Sequence, residues 1–129
     1  MVARVDFRSC TLLPDDGPPI EARAHGRLMG RTKSLGNALV VGDVVGFAIE
    51  AGQAMIGAVE ARRNAFSRRA SGDRDEEQVV AANLDQVVLV ASPRGSEFRE
   101  GFADRVLCQS EHAGIPARLA LNKLDLGPA

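Results

Sequence analysis

Four residues near the end of the chain have the types and spacing to read a purine base. Asn122-Lys-Leu-Asp125 follows directly on the apolar run Ala117-Arg-Leu-Ala-Leu121. One ionised carboxylate, Asp125, can accept two adjacent N–H donors at once. Guanine offers such a pair at its N1 and N2 positions. Adenine has an acceptor at N1 and no N2 amine, so it would leave the carboxylate unpaired. Buried groups left unpaired give discrimination on the order of 10⁴-fold. Asn122 suits the O6/N7 side of the base, and the Lys123 stem suits its flat face. The plainer alternative is a polar turn whose Asn and Asp cap the next element.

Asn-Lys-x-Asp is the base-reading pattern of GTPases, which also need a loop that wraps phosphate oxygens. Gly-x-x-x-x-Gly-Lys-Ser/Thr is absent from these 129 residues. The nearest text, Arg27-Leu-Met-Gly-Arg-Thr-Lys33-Ser34, has Arg27 and Thr32 where glycines are required, so it reads as a basic loop. Asp43-Val-Val-Gly46 matches a pattern that contacts the γ-phosphate region, but it falls in strand-like text and reads as a strand turn. The parts for phosphoryl transfer are therefore missing here. A phosphate loop would have to follow the base motif, which is a circularly permuted order.

The elements that must position the motif come next. Val87-Val-Leu-Val-Ala91 is a continuous apolar run of the kind found in a buried parallel strand. Phe98, Phe102, Val106 and Ala113 then follow helical spacing, with Ser96 as the expected N-cap and Gly114 as the C-cap. Pro116 stops the helix, and Ala117–Leu121 makes the second strand. Strand, helix, strand is a right-handed βαβ unit. It is incomplete, because a parallel strand apolar on both faces needs cover above and below. We therefore expect the front part of a longer protein, or another chain over the sheet. Self-association through the exposed parallel sheet is expected for the same reason.

The text before residue 70 is different. Ala3–Leu13, Ile20–Leu28 and Ala54–Glu60 alternate as short strands, and Ala38–Ile49 reads as two strands joined at Gly42-Asp43. Pro14–Pro19 and Ala51-Gly-Gln53 are turns. Several short strands without a helical period predict a small closed barrel, of OB or SH3-like type. Ser71-Gly-Asp-Arg-Asp-Glu-Glu-Gln78 reads as a solvated linker. The predicted domains are thus a barrel over 1–69, a linker over 70–82 and the α/β start over 83–129.

Composition narrows the partners. Apolar residues make up 45% and charged residues 26%, which is a globular balance. No run approaches the ~18–20 apolar residues that span a bilayer, so no membrane partner is expected. Met1–Arg8 alternates charge with apolar residues, unlike a secretory signal. Sixteen basic against seventeen acidic side chains give a net charge of −1, so any polyanion surface must be local. Arg62, Arg63, Arg68 and Arg69 form such a cluster, with Arg27, Arg31 and Lys33 as a second patch. These would neutralise nucleic-acid phosphates; the plainer reading is a solvated basic edge. Cys10 and Cys108 read as small core residues of a reducing compartment, and His25 and His112 as ordinary strand or surface positions. No metal site is expected in this chain.

Several ordered motifs together resemble one family, the ribosome small subunit-dependent GTPase A (RsgA) family. They are Gly26-Arg-Leu28, Val41-Gly-Asp-Val-Val45, Arg62-Arg-Asn-Ala-Phe-Ser-Arg68, Gln78-Val-Val-Ala-Ala-Asn-Leu-Asp-Gln-Val87, Asp104-Arg-Val-Leu107, Gly114-Ile115 and Asn122-Lys-Leu-Asp-Leu126. The resemblance covers nearly the whole chain. It implies a mainly β plus α/β chain, with an OB-fold-like RNA-binding barrel and then the incomplete start of a circularly permuted P-loop-type GTPase domain. It implies a cytoplasmic protein that binds the small ribosomal subunit and its rRNA and assists late maturation. GTP or GDP with Mg is implied for the full-length family, and zinc for a C-terminal domain that lies beyond this sequence. Asn122, Lys123 and Asp125 take the guanine-reading positions. No catalytic residue is assigned, and hydrolysis by this chain alone is not expected. Positions 61 and 69, here Ala61 and Arg69, are often proline in the family, which leaves the segment less rigid and more basic. Two other readings stay open: a stand-alone ribosome-binding module without hydrolysis, and a decayed fragment.

Overall fold

The computed structural model describes residues 1–28, 39–69, 77–93 and 100–126. These divide into two compact units, Met1–Asn83 and Leu84–Ala129.

Unit 1 is built from strands. β1 (Val2–Val5), β2 (Cys10–Leu12), β3 (Ile20–Ala24), β4 (Val45–Glu50) and β5 (Gln53–Val59) form one sheet in the order β1-β2-β3-β5-β4. β1–β2, β2–β3 and β4–β5 pair antiparallel, whereas β3 and β5 run parallel, with Ala22 opposite Ala54 and Ala24 opposite Ile56. The turn between β4 and β5 follows from two residues. Ala51 and Gly52 have φ of 50° and 78°, as a two-residue hairpin turn with the right twist demands. Alternation sends Val2, Cys10, Leu12, Ala22, Ala54 and Ile56 inward, where they pack with Leu39 as the core. Burial holds the Cys10 thiol above its ordinary pKa, and the Asp6 carboxylate adds to that.

The expected closed barrel is not what forms. Among the described strands, β1 and β4 have no ladder between them, so the sheet is OB-like in its order but open at that seam. Only the stretch before β4 reaches β1: the Val2 N–H donates to the Asp43 carbonyl and the Gly42 N–H to the Val2 carbonyl, each at 2.8 Å. The expected pair of strands over 38–49 reduces to one strand plus a single bridge, Val41 with Ala81. The Gly42-Asp43 turn is therefore a corner between unlike elements and not a hairpin.

The end of the expected linker is also a strand. β6 (Ala65–Arg69) pairs antiparallel with β7 (Glu77–Ala82) as a separate ribbon. The polar text of β7's first residues hid it, since a two-stranded ribbon needs no continuous apolar face. The division between units falls after Asn83, one residue beyond the expected linker's end.

Unit 2 is a β-α-β unit. β8 (Val87–Ala91) and β9 (Ala117–Leu121) pair in parallel, residue for residue, and α1 (Glu100–His112) connects them. Gly114, at φ 68°, ends the helix as expected. The Ile115 N–H donates to the Ser110 carbonyl at 2.8 Å in the same cap. The expected N-cap, Ser96, lies outside the described residues.

Candidate functional site

The base motif begins where β9 ends, at the carboxyl end of a parallel strand pair, which is where α/β folds place ligands. The Asn122 N–H donates to the Ala91 carbonyl at 2.8 Å and so continues the ladder one step past the strand. This ties the motif to the tip of β8. Lys123 then takes a left-handed turn, with φ of 60°. Its N–H donates to Asn122 Oδ1 at 2.9 Å, which steadies that conformation locally. Leu124–Leu126 is a 3₁₀ turn carrying Asp125, with the Leu126 N–H reaching the Lys123 carbonyl at 3.3 Å. Asn122, Lys123 and Asp125 are all solvent-exposed. The chain thus turns at Lys123 and leaves the Lys123 and Asp125 side chains exposed to solvent.

The predicted basic residues fare unequally. Arg31 and Lys33 lie outside the described residues, and Arg27 falls on a 3₁₀ turn over Gly26–Leu28. Arg68 and Arg69 stand exposed on β6, where Arg68 reaches Gln78 Oε1 with Nε at 3.2 Å and Nη2 at 3.1 Å. Arg63 is exposed, and its Nη2 donates to the Asn83 carbonyl at 3.1 Å. Arg62 departs furthest from a phosphate-binding residue. Its Nε donates to Asp43 Oδ1 at 2.7 Å and its Nη2 to Asp43 Oδ2 at 3.0 Å. Asp43 is fully buried and also accepts from the Val40 N–H at 2.9 Å. A buried carboxylate needs a cation, and this bidentate fork supplies it. That hydrogen bond holds the Arg62 guanidinium above its ordinary pKa.

What the residue-by-residue reading missed is that three of its motifs meet at one knot. Asn83 is its hub. Its Nδ2 donates to the Gly42 carbonyl at 2.9 Å, and its Oδ1 accepts from the Arg63 N–H at 2.7 Å. Its own N–H donates to the Asn64 carbonyl at 3.0 Å, and its φ is 56°. Gly42 is required at this point. Its φ is 94°, and a Cβ there would sit 1.9 Å from the Ala82 carbonyl oxygen. Val41-Gly-Asp43, Arg62-Arg-Asn64 and Ala82-Asn83 are thus brought together, and their polar residues hold one corner of unit 1. The one available signal was their composition: Gly, Asp, Asn and Arg in strand-like text.

Among the described residues, no group of three His, Cys, Asp or Glu side chains could hold a metal ion.

An OB-like β domain followed by a parallel β-α-β unit, with Asn122-Lys-Leu-Asp125 at its strand tip, defines the class of architecture. The model of the RsgA GTPase family matches residues 59–129, more than half of the sequence. The chain belongs to that family. It is 35% identical over 112 residues to a small ribosomal subunit biogenesis GTPase, RsgA 2, of Bacteroides thetaiotaomicron, a match covering 86% of this chain and 36% of the relative. A small ribosomal subunit biogenesis GTPase of Chlorobaculum parvum is 31% identical over 135 residues, covering 98% of this chain and 43% of that one. The crystal structure of YjeQ from Thermotoga maritima superposes with a TM-score of 0.67 at 25% identity, over 97% of this chain and 41% of that one. YloQ, a circularly permuted GTPase, shares the fold with a TM-score of 0.61 at 21% identity, over 99% of this chain and 41% of that one. The chain therefore spans about two-fifths of the length of these relatives.

Proposed function

We propose that this chain supplies the RNA-binding and guanine-reading part of a GTPase that binds the small ribosomal subunit and assists its late maturation. One observation supports this most. Asn122-Lys-Leu-Asp125 stands open at the carboxyl end of a parallel strand pair, in a chain whose relatives are named small ribosomal subunit biogenesis GTPases. In this reading Asp125 accepts the N1 and N2 donors of guanine, Asn122 meets the O6/N7 side, and Lys123 lies along the base. The β-α-β unit is the start of a P-loop-type domain. Phosphate binding and hydrolysis belong to parts of the family's proteins that these 129 residues do not carry. A cytoplasmic setting follows from that partner. Arg68 and Arg69 on the β6–β7 ribbon take the leading role at rRNA phosphates, with Arg27, Arg31 and Lys33 as the second basic patch of the sequence. Arg62 is withdrawn from that role by its bond to Asp43.

Co-sedimentation with purified small subunits at low and moderate salt tests this. Binding that weakens steeply with salt, and with Arg68→Ala plus Arg69→Ala, is expected. Absence of binding at low salt would overturn the RNA role. Subunit binding that ignores guanine nucleotide would favour the non-hydrolysing module instead. The half-exposed Val88, Val90, Leu119 and Leu121 support self-association through the β8–β9 sheet. A strict monomer by light scattering at high concentration would remove that part of the reading.

A further inference from the structure

The open seam of unit 1 carries features that neither base reading nor phosphate contact uses. β4 has a strand partner on one side only among the described residues. Its sequence, Val-Gly-Phe-Ala-Ile-Glu, has no charge before its last position and no proline. Such an edge is a template for another strand unless it is blunted. Register says which groups face outward. In a two-residue hairpin the flanking pair, here Glu50 and Gln53, exchanges both hydrogen bonds. Alternation then turns the N–H and C=O of Phe47 and Ile49 away from β5. Their side chains are 40% and 65% exposed.

A hollow of about 190 Å³ opens beside the start of this edge, lined by Leu12, Leu13, Val44, Val45 and Phe47 among others. It is below the ~300 Å³ at which small-molecule sites begin, so it suits one side chain better than a cofactor. Two exposed acidic residues, Asp15 and Glu60, also line it. Met1 lines it as well, and its ammonium donates to the Leu13 carbonyl at 3.0 Å. Acidic walls disfavour RNA here and favour a cation next to an apolar anchor.

We infer that the outer edge of β4 is a docking site for an extended, basic polypeptide segment, which adds as a strand and seats one apolar side chain in the hollow. Main-chain bonds to Phe47 and Ile49 supply the pairing, and the hollow with Asp15 and Glu60 supplies the selection. The inference stands on unit 1 alone and does not depend on the guanine reading.

The test uses the full chain and three probes: the peptide Lys-Val-Lys-Leu-Lys-Val-Lys with both ends blocked, its counterpart with Glu for every Lys, and a 12-nucleotide oligouridine. Fluorescence anisotropy gives affinities, and hydrogen exchange by NMR gives the site. The basic peptide is expected to bind and to slow exchange of the Phe47 and Ile49 amides at least tenfold, which needs no variant. Ile49→Pro removes the outward donor without touching the β5 ladder, and is expected to weaken the peptide at least tenfold. Asp15→Asn with Glu60→Gln is expected to weaken it about threefold and to flatten its salt dependence. No peptide binding, equal binding of the acidic peptide, or unchanged Phe47 and Ile49 exchange would each overturn the inference. So would oligouridine binding that is lost in Ile49→Pro, which would make the edge an RNA surface.

Discussion

The two units bury their apolar residues very differently. Unit 1 has a core of seven buried residues from four strands and the Leu39 segment, ringed by six partly buried apolar neighbours. Unit 2 buries only Ala103 and Ile115 among its described apolar residues, while Val88, Val90, Leu119 and Leu121 stay about half exposed. A folded sheet of five strands can hold a core on one face; two parallel strands and one helix cannot cover both faces of their sheet. The difference assigns roles. Among the described residues, unit 1 holds the packed core, and unit 2 leaves the apolar residues of its strand pair half exposed.

Substitutions can break that comparison. The largest effect is expected at the knot. Gly42→Ala combines a left-handed φ with a clash against the Ala82 backbone, and should cost unit 1 about 4 kcal/mol, read by urea unfolding. Asp43→Ala removes the buried carboxylate that both the Arg62 guanidinium and the Val40 N–H reach. Because Arg62 retains some solvent contact, the loss should be about 3 kcal/mol, at the low end for a buried pair. Ile56→Ala, at a side chain with no exposure, should cost about 3 kcal/mol, whereas Val90→Ala, 62% exposed, should cost under about 1. Equal losses at the two positions would show that the β8–β9 sheet is covered in solution and would end the contrast. The smallest effect is chemical. A thiol reagent at pH 8 should modify exposed Cys108 well before Cys10, which is buried and has a raised pKa. The same shift has a sign for stability. The unfolded Cys10 thiol ionises first as pH rises, so its share of stability is lost above about pH 8.5.

Local chemistry made much of this legible. The turn at Ala51-Gly52, the Gly114 cap, the parallel strands from Val87–Ala91 and Ala117–Leu121, and the motif's place after the second strand all follow from neighbours in sequence. The misreadings share one cause, which is pairing between distant residues. Nothing near Glu77–Ala82 announces its pairing with β6, and nothing near Arg62 announces Asp43, nineteen positions away. Whether β1 meets β4 is also a question of geometry across the whole sheet, since alternation within each strand is the same in an open or a closed barrel. A cluster of arginines reads the same whether it faces phosphate or folds back on a carboxylate. Only the arrangement in space separates Arg62 from Arg68.

The Asn83 hub has a consequence for synthesis. The bond from its side chain to the Gly42 carbonyl spans 41 positions, and the parallel pairing of β3 with β5 spans about thirty. Contacts so distant in sequence form late and slowly, because a long loop must close before any of them is made. On a translating chain, strands β1 to β5 therefore emerge before the residue that fastens their corner. The first unit can be locked only once Asn83 has cleared the exit, by which time β6 and β7 are out as well. Until then the corner of nascent unit 1 lacks this fastening, and that interval is when its strands are most exposed to wrong pairing.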